Sequence, residues 1–245
     1  MMELDVQEDC EPAPKKQRFS MEVLHQEVDQ IPVLHDSCDL GQINALFDHY
    51  AEGTGGSVGC EQCIAGDSLS RLAKDFGWPD DTNCTYFALC YCMGSKVPNV
   101  VTRAEWTRAF CMLRCDTVEK AKRRLLHYQL SLKRNRSVFL NYFNYVFNCI
   151  NTRALKCIDI HLVQRALIAV VGTHSPFTFS FCHFLNETVY RGLNSDQWRN
   201  FLSFSLSIRV DFSNYDINDA WPSIYDEYVD WVRTKKVRIM PQDME

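Results

Sequence analysis

No stretch of this 245-residue chain approaches the ~20 uninterrupted apolar residues that a membrane-spanning helix requires. Its start, MMELDVQEDCEPAP, is acidic and polar and lacks the apolar segment of a secretory signal, so a nuclear and cytoplasmic protein without membrane attachment is expected. A basic excess is missing too. The net charge of −5 argues against a duplex-binding protein, because neutralising phosphates requires a basic face. The basic stretch Lys120, Lys122, Arg123, Arg124, Lys133, Arg134 and Arg136 is spread round more than one helical face and reads as solvated or paired. No internal repeat is clear, and from Val210 to Val232 there is no positive charge at all.

What is present is an ample supply of apolar side chains, 46% of the chain, enough to bury a core. The first 37 residues carry Pro12, Pro14 and Pro32 with little apolar periodicity and read as a flexible tail. Lys15, Lys16 and Arg18 are its basic cluster, read either as part of a solvated tail or as a nuclear-import signal. A domain over residues 38–235 and a short tail over 236–245 complete the expected organisation.

From Asp39 onward the pattern is helical. Ile43, Leu46, Phe47 and Tyr50 follow i, i+3, i+4, i+7 spacing, and Leu69, Leu72, Ala73 and Phe76 do the same, with Gly77 placed to stop that helix. Residues 82–93 predict a helix buried on all sides. Thr102 and Glu105 form a capping box for a helix bearing Trp106, Ala109, Phe110 and Leu113. Further helices are expected around 117–134, along the stripe Val138 to Ile150, after the capping residue Asp159, over 176–190, and as a closing pair at 195–208 and 222–232. The fold class is therefore all-α, with about ten helices. Two β-prone pieces, Asn99 to Val101 and Cys157-Ile158, sit between helices, and that outline is EF-hand-like.

Each metal or catalytic reading fails on spacing. Neither GTGGSVGCEQCIAG nor GSKVPNVVT offers the alternating oxygen ligands, central Gly and terminal Glu of a calcium loop. Cys60 and Cys63 form one CxxC, but Cys90 and Cys92 would splay on a helix, so no zinc site is expected. No nucleophile signature surrounds any of the twelve cysteines; Cys84, Cys90, Cys92, Cys111 and Cys149 fall in apolar helical runs and read as reduced, small hydrophobes. No cofactor is implied.

The C-terminal run holds the strongest signal. Asp211, Asp216, Asp219, Asp226, Glu227 and Asp230 are interleaved with Phe212, Tyr215, Trp221, Tyr225, Tyr228 and Trp231. Rings hold a fold together while unpaired carboxylates sit in water, so a rigid helical end with a negative face is expected, suited to a basic protein partner. Asp211 and Asp216 can shape the turn between the last helices. Asp196, Ala220 and Asp226 are the better candidates for contact, a small residue between two carboxylates allowing close approach.

These residues resemble the defective-in-cullin-neddylation family and its potentiating neddylation domain. The strongest matches are DQWRNFLSFS at Asp196 to Ser205 and DFSNYDINDAWPSIYDEYVDW at Asp211 to Trp231; weaker ones are RCDTVEKAK at Arg114 to Lys122 and LFDHYA at Leu46 to Ala51. The resemblance implies an all-helical domain with EF-hand-like units lacking calcium, monomeric, and acting as a scaffold-type co-ligase without a nucleophile of its own. Such a protein binds the winged-helix domain of a cullin, in complex with a RING-box protein, and the N-acetylated neddylation conjugating enzyme. It promotes transfer of the ubiquitin-like modifier to the cullin lysine by proximity, so activating cullin-RING ubiquitin ligases. The family's cullin-facing Asp, Ala and Asp fall on Asp196, Ala220 and Asp226. Its pocket for the enzyme's acetylated methionine falls on Leu69, Leu89 and Val101, with Cys149, Ala166 and Ala169 where relatives carry bulkier side chains. The start Met-Met is not the Met-Gly of a myristoylated member, and the leader is too short for an added ubiquitin-binding domain. The competing reading is an EF-hand-like adaptor for a basic partner unrelated to cullins.

Overall fold

The computed structural model describes residues 38–52, 57–58, 61–78 and 84–239. The expected leader, with Lys15, Lys16 and Arg18, lies outside the described residues. Ten α-helices are described: α1 (Leu40–Ala51), α2 (Asp67–Phe76), α3 (Cys84–Met93), α4 (Arg103–Met112), α5 (Val118–Leu132), α6 (Arg136–Ile150), α7 (Ile160–Val170), α8 (Thr178–Glu187), α9 (Ser195–Ser207) and α10 (Ser223–Ile239). The all-α reading holds. Helix α10 runs four residues beyond the boundary expected for the C-terminal tail.

Five short strands join the helices: β1 (Ser57–Val58), β2 (Glu61–Ala65), β3 (Val100–Thr102), β4 (Cys157–Asp159) and β5 (Gly192–Asn194). Strand β2 lies antiparallel to both β1 and β3, with Ile64 opposite Val101; β4 pairs antiparallel with β5, with Ile158 opposite Leu193. The helix pairs flanking β2 and β3 are thus stapled loop to loop, and so are the pairs α6–α7 and α8–α9. At the second staple the chains approach so closely that a Cβ on Gly192 would meet the Ile158 carbonyl oxygen at 2.5 Å.

Side chains end the helices where expected. Thr102 and Glu105 make the capping box of α4, Asp159 accepts from the amides of His161 and Leu162 at the start of α7, and Gly77 closes α2 in the left-handed region at φ 73°. Helix α3 is buried from Phe87 to Met93 and packs against α4, α5 and α6. Two tryptophans lock the halves of the core. Trp106 stacks on Phe110 at 4.0 Å and donates its Nε1 proton to the Ile43 carbonyl of α1; Trp198 of α9 stacks on Phe143 of α6 at 4.4 Å and donates to the Phe143 carbonyl. Burying each such ring contributes about 3 kcal/mol, and its satisfied N–H avoids the penalty of an orphaned donor.

The basic stretch divides as expected. Lys122, Arg123, Arg134 and Arg136 are exposed, while Lys120 pairs with Asp116 at 2.8 Å; Arg124 alone among them is buried. The ten cysteines of the described residues form no disulfide. Cys111 departs from the expectation of a small buried hydrophobe. It lies on the outward side of α4, opposite Trp106, Ala109 and Phe110, and is exposed.

Candidate functional site

The C-terminal end is built from the starts of α9 and α10. Asn194 caps α9, accepting from the Gln197 amide at 2.9 Å while the Gln197 side chain accepts from the Asn194 amide at 3.0 Å. This box leaves Asp196 exposed in the first turn, where the unpaired amides of the helix favour a carboxylate. Asn200 Nδ2 donates to the carbonyl and to Oδ1 of Asp196, at 3.0 and 3.3 Å. Tyr225, fully buried in α10, donates its hydroxyl to the Gln197 carbonyl at 2.5 Å and so ties the two helix starts side by side. Burial first, and the Asp196 charge second, push the Tyr225 hydroxyl well above the usual tyrosine range.

Asp226 stands half-buried in the first turn of α10 and accepts a hydrogen bond from the Tyr215 hydroxyl. Desolvation, then that bond and the Asp226 charge, raise Tyr215 far above its ordinary value, so the phenol stays a donor. Asp226 also lines an open groove with Tyr215, Asp216, Ile217, Asp230 and Arg233. Ala220 is exposed in the turn just before α10. The structure therefore places Asp196, Ala220 and Asp226 at or next to the starts of two clamped helices. Asp211 and Asp216 shape the connection: Asp211 Oδ1 accepts from the Ser213 amide at 3.0 Å, and Asp216 Oδ1 from the Asn218 amide at 2.9 Å. The Ser213 amide holds the Asp211 carboxyl below its usual range.

Of the second set of expected residues, two share a cavity. Val101 and Cys149 line a cavity of about 30 Å³ between α3, the loop leading into β3, and α6. Leu89 and Ala166 are buried, Leu69 and Ala169 half-buried, and none of the four lines that cavity. Tyr86 and Tyr145 line the same cavity. The Tyr145 hydroxyl donates to the carbonyls of Cys90 and Ser95 at 2.9 and 3.0 Å, and the Tyr86 hydroxyl to Asn99 Oδ1 at 3.0 Å. Contact with Cys149, then burial, pushes the Cys90 thiol well above its usual range. Among the described residues no three His, Cys, Asp or Glu side chains gather around a common metal-sized point.

Sequence reasoning missed the Asn194–Gln197 box, whose N-x-x-Q spacing was there to read, and both tyrosine clamps, which join residues 11 and 28 positions apart and leave no local signal.

Residues 120–231 match the family model described as cullin binding, a span from within α5 into α10 that contains Asp196, Ala220 and Asp226. The chain is 30% identical over 178 residues to DCN1-like protein 4 of Drosophila melanogaster, covering 73% of this chain and 71% of that protein. It is 28% identical over 179 residues to DCN1-like protein 5 of Rattus norvegicus, covering 73% and 75%, and 29% identical over 180 residues to DCN1-like protein 4 of Homo sapiens, covering 74% and 61%. The chain belongs to the DCN1-like protein family.

Proposed function

We propose that this protein is a scaffold-type co-ligase of cullin neddylation, working as a monomer in the nucleus and cytoplasm. It holds a cullin winged-helix domain, with its RING-box protein, beside the N-acetylated conjugating enzyme, so that the modifier passes from the enzyme's cysteine to a cullin lysine. The observation that carries the reading is the pair Asp196 and Asp226, set in the first turns of two clamped helices inside the cullin-binding region. Complementary charge speeds encounter with a basic surface, and Ala220 between the carboxylates lets a partner backbone come close. Each charge-assisted hydrogen bond contributes about 1.5–3 kcal/mol, so losing one weakens docking by about tenfold or more. The four helix–strand–helix units support an EF-hand-like description of the scaffold.

The acetylated methionine of the conjugating enzyme enters, in this reading, where Val101 and Cys149 line the cavity. At about 30 Å³ that space accepts water-sized molecules only, so entry requires Tyr145 to leave its two carbonyls, at a cost of about 1–3 kcal/mol. Affinity for the peptide is correspondingly modest.

The test is transfer of the modifier from charged conjugating enzyme to a purified cullin–RING-box complex, with and without this protein. Stimulation by the wild type, lost in Asp196→Arg and Asp226→Arg while the helical circular dichroism is kept, is the expected result. No stimulation by the wild type overturns the proposal, and failure to retain the cullin winged-helix domain in a pull-down leaves the adaptor reading.

A further inference from the structure

Two thiols share the small cavity beneath the loop before β3. Cys90 projects from α3 and is 5% exposed; Cys149 projects from α6 and is half-buried. Both thiols line its wall, and so does Tyr145. Helices α3 and α6 are packed against one another, so the fold itself brings the two thiols to one cavity. The remaining walls include Tyr86, Ser95 and Val97.

We propose that Cys149 is a site of reversible oxidation by hydrogen peroxide, with Cys90 the resolving thiol that closes a disulfide between α3 and α6. The order follows from exposure. Cys90 is shut in and holds its proton, its thiol raised by Cys149 and by burial, so the first attack falls to the accessible sulfur. The Cys149 sulfur attacks one oxygen of the peroxide; the O–O bond breaks, the departing hydroxide takes the thiol proton and leaves as water, and Cys149 becomes a sulfenic acid. The Cys90 sulfur then attacks the sulfenic sulfur, the S–O bond breaks, and the hydroxide leaves as a second water with the Cys90 proton. Two thiols lose two electrons and two protons, and one peroxide becomes two waters.

The space beside the two thiols is small, about 30 Å³, which favours a small oxidant over a bulky disulfide such as oxidised glutathione. The consequence for binding rests on the conjugating-enzyme reading given above: a covalent tie between α3 and α6 removes the freedom that Tyr145 and its neighbours need to admit a methionyl chain.

The experiment uses the full chain, reduced and freed of reductant, in a Cys111→Ser background, because Cys111 is exposed and offers a competing thiol. Peroxide is expected to link Cys90 to Cys149 in non-reducing peptide maps, reversibly with dithiothreitol. Oxidised glutathione is expected to act about tenfold more slowly or not at all, access deciding exchange. Cys149→Ser forms no link, and Cys90→Ser stops at a sulfenic acid captured by dimedone. Peroxide that leaves Cys90 and Cys149 both alkylatable, or joins either to another cysteine, overturns the proposal. In parallel, binding of the acetylated N-terminal peptide of the conjugating enzyme is measured on reduced and oxidised protein, with loss expected on oxidation. Reduced protein that ignores the peptide overturns the pocket reading and leaves the crosslink result standing.

Discussion

Replacing Tyr225 by Phe removes one oxygen atom from the joint between α9 and α10. The ring keeps its partners: it lies parallel to Phe181 at 5.6 Å and stacks with Phe204 at 5.0 Å, so neither volume nor aromatic contact is lost. What goes is the 2.5 Å bond to the Gln197 carbonyl, an acceptor beside a residue buried to 0% exposure. The bond is part-buried and the Gln197 carbonyl, lying within α9, keeps its helical partner, so the loss costs about 0.5–1.5 kcal/mol. For a domain of this size each kcal/mol lowers the melting temperature by about 2–4 °C. Urea unfolding followed by tryptophan fluorescence should show an earlier midpoint with an unchanged slope. Tyr190→Phe is the control, because its hydroxyl meets Glu227 at 2.6 Å in solvent and its loss should cost less than about 0.5 kcal/mol. In the transfer assay Tyr225→Phe should weaken cullin docking more than Tyr190→Phe, since only the former spans the Asp196 and Asp226 turns. A Tyr225→Phe protein as stable as the wild type would refute the claim that this bond sets the spacing of the two helix starts.

Gly192→Ala forces a Cβ to within 2.5 Å of a backbone oxygen, so β4 and β5 must separate; faster hydrogen exchange at the Ile158 and Leu193 amides and a loss of about 2 kcal/mol or more are expected. Glu187 gives a pH signature. Hydrogen bonds from Lys235 and then Trp231 hold its carboxyl below the usual value of about 4.5. A depressed carboxylate contributes its stabilisation above the unfolded value and loses it as pH falls through the folded one. Trp231 fluorescence should therefore change below about pH 4.5 with no sign of global unfolding, and Glu187→Gln should abolish that step.

Helix positions were legible because burial repeats every three to four residues, and the wide stripe of α6 or the all-round burial of α3 leaves little alternative. Caps were legible wherever a side chain bonds an amide two or three residues on, as at Thr102 and Asp159. The strands were less so. Asn99 to Val101 and Cys157-Ile158 announced β3 and β4, but β5 reads Gly-Leu-Asn and acquires its strand character from pairing with β4, 33 residues away between Asp159 and its partner Gly192 at the nearest, information no window of sequence contains. The docking candidates were found because charge and aromatic content are local properties. Of the pocket candidates, Val101 and Cys149 line one cavity with Tyr145, a placement set by how the helices pack, which leaves no local signal.

Among the described residues Phe212 is one of four non-glycines in the left-handed region, at φ 58°. Such a backbone costs about 1 kcal/mol or more for a bulky side chain, and here the ring is buried against Phe177, Phe204 and Tyr228. The aromatic core thus enforces a bend that the backbone alone resists, and the Asx turns at Asp211 and Asp216 stiffen either side of it. A loop already confined to its working shape surrenders little entropy when something settles on it. Its affinity would then be governed by how long the complex lasts, and loosening the bend by Phe212→Ala would shorten that residence even though the side chain faces away from any partner.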